Sequence, residues 1–454
     1  MKRTLILCLA LAAALPFLSC RKEPPKPRNI IFVLVDTLRA DRLGTYGYAR
    51  DTSPNVDAFA REAIKFENAR SQASCTFPSA NSILTSRWPA AFLGQANQAL
   101  GIPEGIPSLA EILRLEGFRT VAVSASAVVR NTPSRFNPTA GFGRGFEVFH
   151  EDCVWKSGAC VNRAAEEHLK KGDKPLFLYL HYIDPHGPYQ PPKRFQNRFA
   201  KGQPDKKWVR VGDPNPIGNW LYKGEERPGF TEADLRYLSD LYDEEIAFFD
   251  TQFAELMEKL RTSGLLDESI VVFAADHGEE FLEHGHIKHC RTLFDNSIRV
   301  PLLIHLPGTD AKAVAKPVQN LDLVPTILDY LGIRTGYTFE GQSLRPLIEG
   351  TEEDDKDAPA ERYQYGLQGT FRSASDGRYK LIQDLGAGTF SLFDLAADPA
   401  EKADVLRRER RAFFRLRDSL TGWIGRSEGQ GQESESLRKA LEAEERLRSL
   451  GYIQ

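Results

Sequence analysis

Three apolar, β-branched stretches each run into side chains able to hold a metal ion. NIIFVLVDT ends at Asp36, SIVVFAADHG at Asp276 and His277, and LFLYLHYIDPHGPY at His181, Asp184 and His186. Runs of this kind read as buried strands. In open parallel sheets ligands bind beyond the carboxyl ends of the strands, so residues from distant segments meet on one rim. One Asp after a strand is as readily a cap or turn residue. Three such ends, two of them carrying clustered ligands, point to a divalent cation. A fourth segment, SQASCTFPSANSILTSRWP, places Pro78 and Ser79 at the start of a helix running to about Thr85. Thr76 then lies at the helix N-terminus, among free amides and the positive end of the dipole. Taken alone, Thr76 is a helix cap. Held on a divalent cation as one of its ligands, the Thr76 hydroxyl can lose its proton and attack an anionic ester, with the amides stabilising the anion that forms.

The elements that must position these groups alternate. Strands are expected at Ile30–Val35, Thr120–Val123, Leu176–Tyr182, Ile270–Ala274 and Leu302–His305. Helices are expected at Asn55–Glu62, Ser108–Glu116, Asn162–Lys170, Glu232–Thr262 and Leu323–Leu331. Strand–helix alternation predicts an α/β domain over 30–350 with a doubly wound, mostly parallel sheet. Asn197–Gly229, rich in Gly, Pro, Lys and Trp, reads as a surface insertion of the kind that shapes a substrate mouth. Past Pro359, strands within Phe371–Ile382 and Thr389–Leu395 and a helix over Pro399–Trp423 predict a small C-terminal lobe spanning 359–425. Residues 427–432 read as a linker and 433–454 as a charged helical tail.

Composition narrows the function further. With 41% hydrophobic and 27% charged residues, a large core forms and wholesale disorder is excluded. A net charge of −3 provides no basic excess for nucleic acid or an anionic membrane. Lys2 and Arg3, the apolar run Thr4–Leu18 and Ser19-Cys20 describe a secretory signal over 1–20, too short to span a bilayer. Phe17-Leu18-Ser19-Cys20 resembles a bacterial lipoprotein box. The protein is therefore expected to be exported, in the periplasm or outside the cell, touching membrane only through a lipid on Cys20. Residues 21–29 read as a tether. Export implies an oxidising compartment, in which Cys153 and Cys160, seven apart, can pair.

Taken together, VDTLRADRLGTYGY (35–48), SPNVDAFAREAIKFENARSQA (53–73), PSANSILTSRWP (78–89), HYIDPHGPY (181–189), ADHGEEFLEHG (275–285), TLFDNSIRVPLLIHLPG (292–308), NLDLVPTILDYLG (320–332) and FSLFDLAADPAE (390–401) resemble the sulfatase family of the alkaline phosphatase superfamily over most of 29–425. The resemblance implies a three-layer, doubly wound, mostly parallel sheet with a small C-terminal α+β lobe. It implies metal ligation by Asp36, Asp276 and His277, with Thr76 as the nucleophile. Sulfatases carry Cys or Ser two residues before the proline, in C-x-P-x-R, and convert it to formylglycine. Here Thr76 holds that place, Cys75 stands one residue early, and Ala80 replaces the arginine. Thr76 resembles the threonine nucleophile of the superfamily's phosphodiesterases and phosphoethanolamine transferases. The family's Lys–His pair is replaced by SASAVVRN, with Ser124, Ser126 and Arg130 as polar candidates.

His186 matches the histidine of P-H-x-P-Y, which contacts the anion or leaving group. His289 falls near a family Lys or His, and an imidazole can donate a proton to a leaving oxygen near neutral pH. Arg39, Asp184 and Lys288 are candidate substrate contacts. Asp184, His186 and His289 could instead complete a second metal site. Thr37 replaces a family acid beside Asp36, so fewer oxygens and more nitrogen favour Zn²⁺ or Mn²⁺ over Ca²⁺. Cys75 adjoins Thr76 and Cys290 adjoins His289. They are either two small buried residues or a disulfide clamping the rim. The expected activity is metal-dependent hydrolysis of a sulfate or phosphate ester, small or borne on a glycan or lipid. Phosphodiester cleavage or phospho-group transfer, or a silent binding lipoprotein, are the alternatives.

Overall fold

The computed structural model describes residues 26–91, 101–134, 136–201, 216–217, 220, 226–351, 360–362, 371–385 and 387–428. The expected signal, Cys20, most of the tether, most of the 197–229 insertion and the charged tail lie outside the described residues. The strands are β1 (Asn29–Val35), β2 (Ile64–Arg70), β3 (Arg119–Ser124), β4 (Val148–His150), β5 (Leu176–Tyr182), β6 (Ser269–Ala275), β7 (Glu280–Phe281), β8 (Ile287–Lys288), β9 (Leu302–His305), β10 (Lys312–Gln319), β11 (Ala360–Arg362), β12 (Phe371–Ser375), β13 (Tyr379–Asp384) and β14 (Thr389–Asp394). Eight form one sheet in the order β10-β2-β9-β6-β1-β5-β3-β4. All neighbours run parallel except β9, which is antiparallel to both β2 and β6.

The centre of this sheet positions the site. Residues Ile30 to Val35 are wholly buried, because helices cover both faces and leave no polar side to alternate with. β1 pairs in parallel with β5, Leu34 beside His181, and with β6, Val35 beside Ala275. Asp36 and Asp276 therefore leave the sheet at one level, with His181 on the last turn of pleat beside them. The 31-residue helix Glu232–Thr262 packs over one face, its start fixed by a reciprocal capping box between Thr231 and Asp234.

Several boundaries differ from expectation, each for a local reason. The helix expected from Asn162 begins at Gly158, whose N–H is capped by Asp184 Oδ2 at 2.6 Å. The C-terminal helix begins at Arg410 rather than Pro399. Asp398 accepts from the Lys402 and Ala403 amides and Asp404 from those of Leu392 and Leu406, holding the approach in turns. β2 and β10 were not anticipated. Their faces are half-exposed, and Pro317 sits where the β10–β2 register shifts.

The four antiparallel strands β11 to β14 and the final helix form the second lobe. It is locked to the first by Lys380, fully buried, whose Nζ lies 2.8 Å from both Asp295 Oδ1 and Glu401 Oε1. Arg70 contacts Asp295 from the other side at 3.2 Å. Removing one member of a buried ion network leaves uncompensated charge. Lys380→Ala is accordingly expected to destabilise the protein by about 3–5 kcal/mol, readable as a lower denaturation midpoint.

Candidate functional site

At the rim, Asp36, His181 and Asp276 offer ligand atoms within 4.8 Å of one another, all three residues buried. Asp36 Oδ1, Asp276 Oδ2, His181 Nε2 and the neighbouring Thr37 Oγ1 are buried with no hydrogen-bond partner in the protein. Buried polar atoms are almost always satisfied, so four orphans on adjoining residues mark a place built for a cation. The other carboxylate oxygen, Asp276 Oδ1, is held by the amides of Thr37 and His277 at 3.1 and 2.8 Å. Burial pushes Asp36 up, but the imidazoles of His186, His181 and His277 outweigh it and hold the carboxyl well below its usual range. Burial and the Asp36 charge push Asp276 up to about 6. The structure sets His181 beside the expected group of Asp36, Asp276, His277 and Thr76. His181 converges with the two acids, while His277 Nε2 stands 3.5 Å from Asp276 and 3.8 Å from Asp36 and faces Thr76.

Thr76 is the first residue of the helix Thr76–Thr85, two residues earlier than Pro78 suggested, and is 6% exposed. It caps nothing. Its Oγ1 lies 3.1 Å from His277 Nε2. His277 Nδ1 donates to the Gly278 carbonyl at 2.9 Å, which leaves Nε2 to face Thr76. Ser79 Oγ donates to Asp276 O at 2.6 Å and fastens this helix to the end of β6. Ala80 is fully buried in the core.

The remaining histidines stack outward. The His277 and His289 ring centroids are 4.7 Å apart, and those of His289 and His186 5.0 Å. His289 Nδ1 bonds Glu279 Oε1 at 2.9 Å, and Tyr189 donates to Glu279 Oε2 at 2.8 Å. Burial works against both charges, yet the pair prevails, with Glu279 held below and His289 above its ordinary range. Burial drives His186 down to about 4. Lys288 Nζ lies 3.6 Å from where a Cβ on Gly187 would stand, which places the ammonium beside the His186 turn. Sequence reasoning passed over Glu279 and Tyr189, although Glu279 sits two residues past His277.

Other expected contacts lie elsewhere. Arg39 is buried, with its guanidinium bonded to Asp41, Glu283 and the Glu279 carbonyl, and lines a cleft of about 360 Å³ against the second lobe. Its donors are spent on two carboxylates and a carbonyl rather than turned to the metal-type cluster. Asp184 is occupied in capping Gly158, and burial pushes it up to about 6. Asp184, His186 and His289 are not among the convergent ligand groups of the described residues. His284 bonds the Ala400 carbonyl and stacks on Phe294. Ser124 and Ser126 satisfy turn amides and carbonyls, and Arg130 pairs with Glu151.

Cys75 and Cys290 form a disulfide across 215 residues, and Cys290 N–H also donates to Ser74 O at 2.7 Å. It ties the residue before Thr76 to the residue after His289. Cys153 and Cys160 form a second. A Cys75→Ser/Cys290→Ser double variant is expected to lose about 2–5 kcal/mol of stability and at least tenfold in turnover, roughly 1.4 kcal/mol of barrier. Calorimetry and steady-state kinetics on the same preparation check both.

An eight-stranded, mostly parallel sheet with an acid–imidazole cluster beyond its central strands defines an alkaline-phosphatase-like α/β fold. The chain belongs to the sulfatase family, whose model matches residues 28–333; the model for the C-terminal region of N-sulphoglucosamine sulphohydrolase matches 282–421. It is thus an ester hydrolase of the sulfatase type, in a metal-dependent family. An ulvan-active sulfatase of Formosa agariphila is 26% identical over 440 residues, 89% of this chain and 84% of that protein. A 2-O GAG sulfatase superposes with a TM-score of 0.72 at 19% identity, covering 90% of this chain and 94% of the other. The phosphonate monoester hydrolase of Agrobacterium radiobacter gives 0.69 at 20% identity, covering 89% and 96%. These structural likenesses establish the shared fold.

Proposed function

We propose that the protein is an exported, metal-dependent hydrolase of sulfate or phosphate esters with Thr76 as nucleophile. The observation that carries this reading is the 3.1 Å contact of Thr76 Oγ1 with His277 Nε2, at a helix N-terminus beside the Asp36–His181–Asp276 cluster. A divalent ion held by those three residues would neutralise a non-bridging oxygen of the ester and make a nearby hydroxyl more acidic. The protein's own groups supply the rest. His277 Nε2 takes the Thr76 proton as Oγ1 bonds to sulfur or phosphorus. The helix amides face the anion. His289, oriented by Glu279, gives a proton to the departing oxygen, while Lys288 adds positive charge on the same side. Water then releases the group from Thr76.

The residues around Thr76 bear on the chemistry. Cys75 is committed to a disulfide and Ala80 to the core, which supports reading Thr76 itself, unmodified, as the nucleophile. A simple hydroxyl nucleophile suits phosphorus as well as sulfur, and the relatives include both sulfatases and a phosphonate hydrolase. Two acids with imidazole favour Zn²⁺ or Mn²⁺ over Ca²⁺. The ulvan-active relative supports a glycan-borne ester. Two disulfides accord with an exported protein, anchored through Cys20. The test is to incubate metal-loaded protein with aryl sulfate, aryl phosphate and aryl phosphodiester, quench, and weigh the peptide holding Thr76. A sulfo or phospho adduct there is expected. No adduct and no turnover with any added divalent ion would reject the reading.

A further inference from the structure

The line of rings that begins at His277 does not stop at His186. Trp155 lies 5.4 Å from His186, centroid to centroid, and Phe136 lies 6.0 Å from Trp155 in a T-shaped arrangement. Trp155 is 47% exposed and Phe136 40%, among the few large apolar side chains so open. A continuous row of rings therefore leads from the nucleophile to solvent.

Trp155 is held in place against its own preference. Its φ is +58°, a left-handed conformation that costs a bulky residue free energy and persists only where the surroundings impose it. Those surroundings are visible. The Cys153–Cys160 disulfide staples the loop, and the Trp155 N–H donates to the Ala125 carbonyl at 3.0 Å. The Glu151 carboxylate accepts from Arg130 and from both the amide and the hydroxyl of Thr132, tying the segment that leads to Phe136 to the loop that carries Trp155.

We propose that Trp155 and Phe136 form a platform for the leaving-group portion of the substrate, and that this portion is a sugar ring. The proposal rests on the reading of Thr76 as the site of ester cleavage. With the ester at Thr76, the leaving group extends past His186 onto the indole. A pyranose suits the surface there. It has an apolar C–H face to lie on Trp155 and hydroxyls to meet the exposed Lys156 and Asp152 beside it.

The experiment is steady-state kinetics of the metal-loaded full chain on monosaccharide sulfates and phosphates, such as glucosamine 6-sulfate and 6-phosphate, and on p-nitrophenyl sulfate and phosphate. Trp155→Ala is expected to lower kcat/KM on the saccharide ester about tenfold, chiefly through KM. Trp155→Phe keeps a ring and should recover most of that loss, and Phe136→Ala should show a smaller KM effect. Mass spectrometry of the intact Cys153–Cys160 peptide guards against a misfolded loop, and Trp155→Phe with Phe136→Ala carries the test if Trp155→Ala fails to fold. An unchanged KM for Trp155→Ala on a saccharide ester the wild type hydrolyses overturns the platform. Turnover of aryl esters but of no saccharide ester overturns the sugar assignment while leaving Thr76 chemistry intact. Turnover of neither class defeats the underlying function instead.

Discussion

Thr76→Ala protein should fold, keep its metal and lose turnover by on the order of 10⁴-fold or more, as removal of a nucleophile does in other covalent hydrolases. The size follows from what the side chain does and does not do. Thr76 makes no capping bond, and its hydroxyl contacts His277 Nε2 alone among the described residues. The helix is held instead by Ser79 on the Asp276 carbonyl and by complete burial of its ten residues. Loss of one hydroxyl and one methyl therefore costs little stability, about 1 kcal/mol, against a catalytic loss several times larger. Thr76→Ser restores a hydroxyl and should recover much of the rate. His277→Ala alone should cost about 10²–10⁴, and adding it to Thr76→Ala should cost almost nothing further, since the two act as a unit. A Thr76→Ala enzyme retaining a tenth of wild-type kcat would remove Thr76 from the mechanism.

Which parts of this site could be read beforehand follows from how each is built. β1, β5 and β6 are central strands covered on both faces, and their uninterrupted apolar runs made Asp36 and Asp276 conspicuous at the ends. β2 and β10 sit nearer the edge, and IKFENAR or KAVAKPVQ carries no such signal. His181 was visible as a potential ligand, but its partnership with Asp36 depends on parallel register, which no local pattern encodes. The Glu279–His289 pair is brought together by β7 and β8, two residues each, too short for any periodicity. The partners of Arg39 were hidden for a related reason. Arg39 was a candidate substrate contact, whereas Glu283, 244 residues away, reaches back to bond its guanidinium. The Cys75–Cys290 bond spans 215 residues, and only the neighbours of each cysteine hinted at it.

Chelation should lower thermal stability and turnover together. Asp36, His181 and Asp276 are essentially unexposed, and three of their ligand atoms have no partner within the protein. Such an arrangement is costly by itself, because two carboxylates share a buried site and burial with the Asp36 charge already pushes Asp276 up to about 6. A cation relieves the repulsion and satisfies the orphaned atoms at once. At a concentration 100-fold above its dissociation constant it stabilises the folded state by about 2.7 kcal/mol. The melting temperature should therefore fall on treatment with EDTA and return on adding Zn²⁺ or Mn²⁺, less fully with Ca²⁺. Asp36→Asn removes one of two anionic ligands, so its bound metal should fall to background by elemental analysis and its melting temperature should no longer respond to chelator. His181→Ala separates the structural assignment from the one drawn from sequence. If His181 is a ligand, its loss weakens metal binding while Thr76 and His277 stay in contact, whereas His277→Ala leaves more of the metal affinity in place. Wild-type protein that carries no metal and melts identically with and without EDTA would show the cluster to be a buried polar network and nothing more.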